Sequence, residues 1–404
     1  MTDLQAVTFS SGNNQPDYDV IIVGGGVYGL SLGCNILEKQ PKKSVCILER
    51  GILPMGASSK NAGFGTFIGY IEFISEIESK GWDRASRDML DRYTGIQMLL
   101  KRVNNDPNII KQTGCYDIIY EQEVASLGRL EEINARLKHL FPQGLFSIRN
   151  DMIPKLGMNP DKVKALVHNP LEWQLNTGKF LIKLLKYFQS MGGLYLTACE
   201  VTSHRSIPLS PSANQPVDQQ NTPCKYSEIK IKDPAGKGSD QALTCRTAVF
   251  CINSFAKSFV KDTNIVPGRG QVMITKPIPT LNFESNFFAD YGYYYMRTVN
   301  GRILLGGARH LRRDEEETHK LENTDFYKQH LPAKLQEFFP KMKFEVDFFW
   351  SGIMGFKQGT DQYVIQRLDD GVFSVFGCQG NGMCLTTYVT SVAYNRIFGP
   401  QSKL

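Results

Sequence analysis

The sequence has no run of 18 or more apolar residues, which excludes a conventional membrane-spanning helix. Its first 17 residues are polar and contain no apolar stretch, so they read as a flexible tail (1–17) rather than a secretion signal. The nine cysteines are odd in number and form no Cys-x-x-Cys pair, and the six histidines show no ligand spacing. A disulfide framework and a metal site are thereby excluded, and a reduced, cytoplasmic protein is expected. Charge of one sign is also scarce: 46 basic residues against 40 acidic ones leave +6, which predicts no nucleic-acid partner. The densest basic run, Arg309, Arg312 and Arg313, is followed by Asp314, Glu315, Glu316 and Glu317, and reads as a solvated loop or helix start.

What is present is an average globular composition, 42% hydrophobic and 21% charged over 404 residues, enough for two or three folding units. Tyr18 to Val23 is a β-branched apolar run, the pattern of a strand buried on both faces. A turn of Gly24, Gly25 and Gly26 follows, then helical spacing from Val27 to Lys39 that Pro41 ends. A second strand, Ser44 to Leu48, stops at Glu49 and completes a βαβ unit. Helical periodicity over Ala85 to Val103 and Glu123 to Leu140, with a strand-like Cys115 to Tyr120 between, predicts a helical insert outside the sheet core. Asn176 to Met191 reads as a helix capped by Asn176 or Thr177 and closed by Gly192 and Gly193. Leu194 to His204 and Ala248 to Ile252 read as strands, with a surface loop over Pro208 to Pro223.

Beyond Gly268, alternating strands follow at Gln271–Thr275, Tyr293–Thr298, Arg302–Gly306 and Phe344–Trp350, with Asn300 and Gly301 as a hairpin turn. A strand at Val372–Phe376 and a helix from Met383 to Ile397 close the chain. The expected fold is α/β: a Rossmann-like domain with a second α+β domain built on a mixed, largely antiparallel sheet. Residues 18–75, 150–265 and 351–404 are assigned to the first; 76–149 and 266–350, with the insert, to the second.

Gly24-x-Gly26-x-x-Gly29, after a strand and opening a helix, is the dinucleotide fingerprint in its required context. The first glycine permits the turn, the second lets backbone approach a pyrophosphate, and the third allows close helix packing. Val27 and Tyr28 complete that turn. Glu49, about 20 residues beyond Gly29, can accept hydrogen bonds from a ribose diol and disfavours a 2′-phosphate, leaving NAD and FAD. Two further segments favour FAD. Arg50 leads to Gly56-Ala57-Ser58-Ser59-Lys60-Asn61-Ala62-Gly63-Phe64, small residues with hydroxyl and amide groups. Gly380, Asn381, Gly382 and Met383 stand before the last helix, whose N-terminus would stabilise negative charge on a flavin's pyrimidine edge.

On these residues, with Val266-Pro267-Gly268-Arg269-Gly270-Gln271 and Gly301-Arg302-Ile303-Leu304-Leu305-Gly306-Gly307, the chain resembles the D-amino-acid oxidase superfamily, including glycine oxidase and sarcosine oxidase. Within it, the Gly-Ala-Ser-Ser-Lys-Asn-Ala-Gly-Phe segment resembles that of a bacterial subgroup of FAD-dependent oxidoreductases. The resemblance implies a discontinuous FAD domain roofed by the second sheet, Val201 as a backbone contact to adenine, and Asn253 at a second FAD-proximal turn. Some sarcosine oxidases attach flavin through a cysteine; the comparable Ile353-Met354-Gly355-Phe356-Lys357 has none, so non-covalent FAD is expected. Where glycine oxidases place an arginine for the substrate carboxylate, Lys357 stands here.

Tyr293, Tyr295 and Arg297 share one face of their strand, Tyr294 and Met296 the other. Tyr295 and Arg269 are candidate substrate residues beside Lys357, against a reading of both as packing residues. No histidine is a convincing base. The resulting expectation is an FAD-dependent oxidoreductase that takes hydride from the C–N bond of an amino acid or secondary amine, with oxygen or another electron acceptor reoxidising it. Oxidation of a 2-hydroxy acid or polyol phosphate, and a flavin-binding subunit without turnover, are the alternatives.

Overall fold

Local physics explains the first unit of the computed structural model, which describes residues 16–208, 225–233, 240–260, 263–357, 359, 362–378 and 380–399. Strand β1 (Tyr18–Val23) is followed by α1 (Val27–Lys39) and β2 (Val45–Leu48). Alternate residues of β1 enter different cores: Val20 and Ile22 pack beneath the helices, Ile21 and Val23 on the opposite face. Gly29 sets the approach of α1, because a Cβ there would lie 2.0 Å from the carbonyl oxygen of Gly24.

The chain continues through α2 (Ala57–Lys60), β3 (Phe64–Gly65), α3 (Tyr70–Lys80) and α4 (Trp82–Arg102). Next come β4 (Ile110–Gln112), β5 (Cys115–Ile119), α5 (Leu130–Leu137), β6 (Ser147–Ile148), α6 (Met152–Leu156), β7 (Ala165–Asn169) and β8 (Trp173–Leu175). Helix α7 (Thr177–Ser190) starts at Asn176, whose side chain accepts from the Lys179 N–H. After it stand β9 (Leu194–Leu196), β10 (Val201–Pro208), β11 (Lys225–Ile231) and β12 (Gln241–Phe250). The second sheet is then supplied by β13 (Ile265–Thr275), β14 (Asn286–Ala289), β15 (Tyr294–Val299) and β16 (Arg302–Gly307). The short α8 (Arg313–Glu316) and α9 (Asp325–Phe338) precede β17 (Val346–Lys357), β18 (Val364–Asp369), β19 (Val372–Phe376) and α10 (Gly382–Phe398).

Two eight-stranded sheets result. In the first, β9, β2, β1, β12 and β19 run parallel, with β10–β11 and β18 attached as antiparallel neighbours. The second has the order β17-β13-β16-β15-β14-β5-β7-β6 and is antiparallel except for β14 on β5. Helix α10 packs on α1 and α4.

Several expectations are corrected. Cys115–Ile119 is not part of a helical insert outside the sheet: it pairs with both β14 and β7 inside the second sheet. The helix expected over Glu123 to Leu140 is a 3₁₀ stretch, Glu121–Arg129, followed by α5. Leu194 to His204 is two strands, β9 on β2 and β10 on β11. Ala165–Asn169 and the part of β17 past Trp350, both assigned to the cofactor-binding part, pair in the second sheet. The expected tail lies outside the described residues up to 15, and Asp17 is already anchored to Thr244. The loop over Pro208 to Pro223 lies outside the described residues from 209 on, although the strands flanking it pair as the expected hairpin.

Candidate functional site

Where the carboxyl ends of β1 and β12 approach the second sheet, a cavity of about 830 Å³ opens. That volume lies within the roughly 300–1,000 Å³ of small-molecule and cofactor sites, and its place at strand ends is where open α/β sheets bind ligands. Gly24, Gly26, Val27 and Tyr28 line it. Gly24 needs its φ of +107°, and a Cβ there would meet the Cys251 carbonyl oxygen at 2.5 Å. The Ser58 hydroxyl accepts from the Val27 N–H at 3.0 Å, bringing α2 against the start of α1. Glu49 holds the turn by accepting from the Gly25 and Gly51 N–H groups, both at 2.9 Å.

Arg50, Asn61, Ala62, Gly63, Val201, Asn253, Gly380, Asn381, Gly382 and Met383 also line the cavity. Asn61 is positioned by accepting from Gly63 N–H and Thr177 Oγ1. Of the residues expected at the cofactor, Gly29 and Ser59 lie outside the lining. Gly29 serves the helix–turn contact already described, and Ser59 Oγ turns back to the Gly56 carbonyl at 3.3 Å.

The second sheet contributes Tyr295, Gly352, Met354 and Phe356, and the turn before β15, expected to be part of the strand, adds Tyr293. Tyr294 and Met296, on the other face, are buried in the second core, as alternation requires. Burial pushes the Tyr295 hydroxyl up to about 12, so it stays neutral and able to donate. Arg269 is not brought in. Its guanidinium is 2% exposed and held by Glu316 at 2.8 Å and Glu322 at 2.7 Å, a buried ion pair that leaves it no role at the cavity. Lys357, at the end of β17 opposite Ile265, does not line the cavity either.

Sequence reasoning missed Arg309. It belongs to the basic run read as a solvated loop, yet it lines the cavity and its guanidinium lies over the Phe356 ring at 4.1 Å. No hydrogen bond or ion pair engages it among the described residues, and burial pulls its pKa down. The preceding turn, Gly307 at φ +123° and Ala308 at +61°, swings it inward; this geometry leaves no spacing signal. Glu72 was missed as well: it lines the cavity from the first turn of α3, where burial first of all raises its pKa. No histidine lines the cavity; His310 instead faces Asp290 at 3.2 Å and stacks on Tyr293 at 4.2 Å.

Two buried polar atoms in the wall, Asn253 Oδ1 and Ser254 Oγ, have no protein partner, and Asn253 holds a φ of +47°. Unpaired groups of this kind are costly unless a ligand meets them, so this wall suits a ligand that presents hydrogen-bonding groups to Asn253 and Ser254. Fold and site together define a dinucleotide-binding oxidoreductase. A family model described as FAD dependent oxidoreductase matches residues 19–391, and the chain belongs to that DAO family of enzymes, with FAD as cofactor.

Among curated proteins, the chain is 23% identical over 303 residues to the L-2-hydroxyglutarate dehydrogenase, mitochondrial, of Bos taurus. The match covers 72% of this chain and 60% of that relative, so the chain spans about three fifths of its length. Among solved structures, glycine oxidase from Geobacillus kaustophilus superposes with a TM-score of 0.72 at 17% identity, over 96% of this chain and 97% of that one. L-proline dehydrogenase from P. horikoshii gives 0.70 at 17%, over 96% and 95%. At these identities the structures show the fold alone. No helix among the described residues is long and apolar enough to cross a membrane.

Proposed function

We propose that the chain oxidises the C–N bond of an amino acid or secondary amine that carries a carboxylate. The observation that carries this reading is the combination of Arg309, an unpaired guanidinium facing the cavity, with the absence of any histidine from its lining. A guanidinium can hold a carboxylate, and its positive charge favours the neutral form of a nearby amine, the form that can release hydride from the adjacent carbon. Oxidising a hydroxyl would instead call for a free base at the proton leaving oxygen, and the lining carboxylate of Glu72 is engaged by Arg92 at 3.6 Å. Tyr295 supplies a neutral donor beside Arg309, and Phe356 shields the guanidinium from water.

For the cofactor, Gly24, Gly26 and Val27 would face the pyrophosphate, Glu49 the ribose, and Val201 the adenine. Asn61 to Gly63 and Gly380 to Met383 would flank the ring system. Bound FAD supplies the hydride acceptor. Cys199, Cys251, Cys378 and Cys384 line the cavity, and burial raises all four thiols, Cys378 to about 11. Neutral thiols are poor nucleophiles, which supports non-covalent attachment.

A 2-hydroxy acid is the second reading, supported by the curated relatives named for 2-hydroxyglutarate. Anaerobic bleaching of the flavin spectrum against a panel of amino acids, N-substituted amino acids and 2-hydroxy acids separates the two. Bleaching by amino or imino acids is expected. Bleaching by hydroxy acids alone would overturn the first reading. Acid precipitation should leave all flavin in the supernatant; yellow pellet would refute non-covalent binding.

A further inference from the structure

The buried charges of α3 and α4 have no part in the chemistry described so far. Glu72 has 29% of its side chain accessible, and it is a lining residue, so this area faces the cavity. Behind it stands Arg92 of α4, 2% exposed and 3.6 Å from the Glu72 carboxylate. Arg92 is also bonded to Glu76, one turn further along α3. The alternation then runs outward: Glu76 to Lys80 at 3.2 Å, Lys80 to Asp88 at 2.6 Å, and Asp88 to Arg84 at 3.0 Å. Arg84 is 38% exposed, so a row of opposite charges joins the cavity to the surface, with Glu72 as its inner end. On the cavity side Glu72 meets the side chain of Asn381, the N-cap residue of α10.

The groups facing Glu72 come from four elements: Arg92 on α4, Glu76 on its own helix, Cys115 and Asp117 on β5, and Cys384 on α10. Of these only Arg92 is cationic, and it is shared with Glu76. Asp117 is buried and raised to about 7, and it accepts from the Tyr70 N–H at 2.8 Å. Arg92 thus serves Glu72 and Glu76 together, while Lys80 meets Glu76 from the far side. Among the groups facing Glu72, a further negative charge would meet Arg92 as its one counter-charge.

We propose that Glu72 is proton-linked to the cofactor: it takes up one proton when the bound FAD gains two electrons, and returns it on reoxidation. The hydride from substrate carbon carries two electrons and one proton to the cofactor. The second proton comes from bulk solvent: an O–H bond of hydronium or of a buffer acid breaks, leaving its conjugate base in solution, as the O–H bond of the Glu72 carboxyl forms, and the transfer reverses on reoxidation. Negative charge added to the cavity beside a poorly solvated carboxylate raises its proton affinity. By linkage, the protonated Glu72 favours the reduced cofactor to the same degree. Burial already holds Glu72 above the usual carboxylate range, which brings it toward the pH at which the uptake would occur. This inference rests on the cofactor placement given above.

The test is a spectroelectrochemical titration of the FAD-loaded protein across a pH series. A second proton adds a tenfold change in the reduction equilibrium per pH unit, about 30 mV for a two-electron couple. Wild-type protein should show that extra slope over part of the range, and Glu72→Gln should lack it. Equal slopes overturn the proposal, as does an extra slope that survives Glu72→Gln and disappears in Asp117→Asn. If Glu72→Gln fails to fold, the redox-difference infrared spectrum of wild-type and Asp117→Asn holoenzymes decides. A carboxylic-acid carbonyl band gained on reduction in both supports Glu72, and its absence from either overturns the assignment. A chain that binds no FAD gives no titration at all and fails the cofactor placement instead.

Discussion

Arg269 and Arg309 are both arginines of the second sheet's surroundings, and their partners separate them. Arg269 has Glu316, itself fully buried, so removing that carboxylate leaves the buried cation with only the exposed Glu322 as its counter-ion. Glu316→Ala should cost about 3–5 kcal/mol of stability in chemical denaturation and leave the substrate KM unchanged. Arg309→Met should do the reverse: a KM raised roughly 10- to 100-fold for a carboxylate substrate, from the ~1.5–3 kcal/mol of a charged hydrogen bond, with an unaltered flavin spectrum. Asp117 gives a pH signature. Its folded pKa, raised by burial to about 7, lies above the unfolded value, so its contribution is fully present below the unfolded pKa and is lost as pH rises through 7. Asp117→Asn should flatten the fall in stability between about pH 4 and 7, an effect on the order of 4 kcal/mol, measured by denaturant titration at each pH. None of these partnerships was legible in the sequence. Glu316 lies 47 positions from Arg269, and nothing in the spacing tells a paired arginine from an open one.

At the scale of elements, the strand–turn–helix at Tyr18–Lys39 was legible almost residue for residue, because each part carries a local signal: β-branched residues, then glycines, then helical spacing. Gly24→Ala should fold but lose flavin absorbance, since the Cβ collides with the Cys251 carbonyl and the φ of +107° is strained for any side chain. The alternation on β15 was equally readable, but the face turned to the cavity was not, because tyrosines occupy both. Tyr295→Phe should alter substrate KM, and Tyr294→Phe should lower only stability, having removed the hydroxyl paired with His330 at 2.8 Å. The strand β5 was misplaced for a different reason. Five residues cannot announce that their partners are β14 and β7, and the helices on either side dominate the periodicity.

At the scale of the whole molecule, the cavity lies between two sheets, so FAD should act as a brace between them. Removing it should lower the melting temperature, and adding it back should raise Tm with concentration, the stabilisation reaching about 2.7 kcal/mol at a hundredfold excess over Kd. The sheet that holds the glycine turn has a further consequence, for biosynthesis. β1 ends at Val23, its neighbour β12 begins at Gln241, and α10, which covers α1, is made last. At roughly 5–20 residues per second the ribosome needs on the order of ten seconds or more to supply β12, and until then β1 has only β2 beside it. The nascent chain must therefore hold the apolar Val20–Val23 run of β1 with one of its two strand neighbours missing through most of the synthesis up to β12, and the cavity at the ends of β1 and β12 cannot form before then.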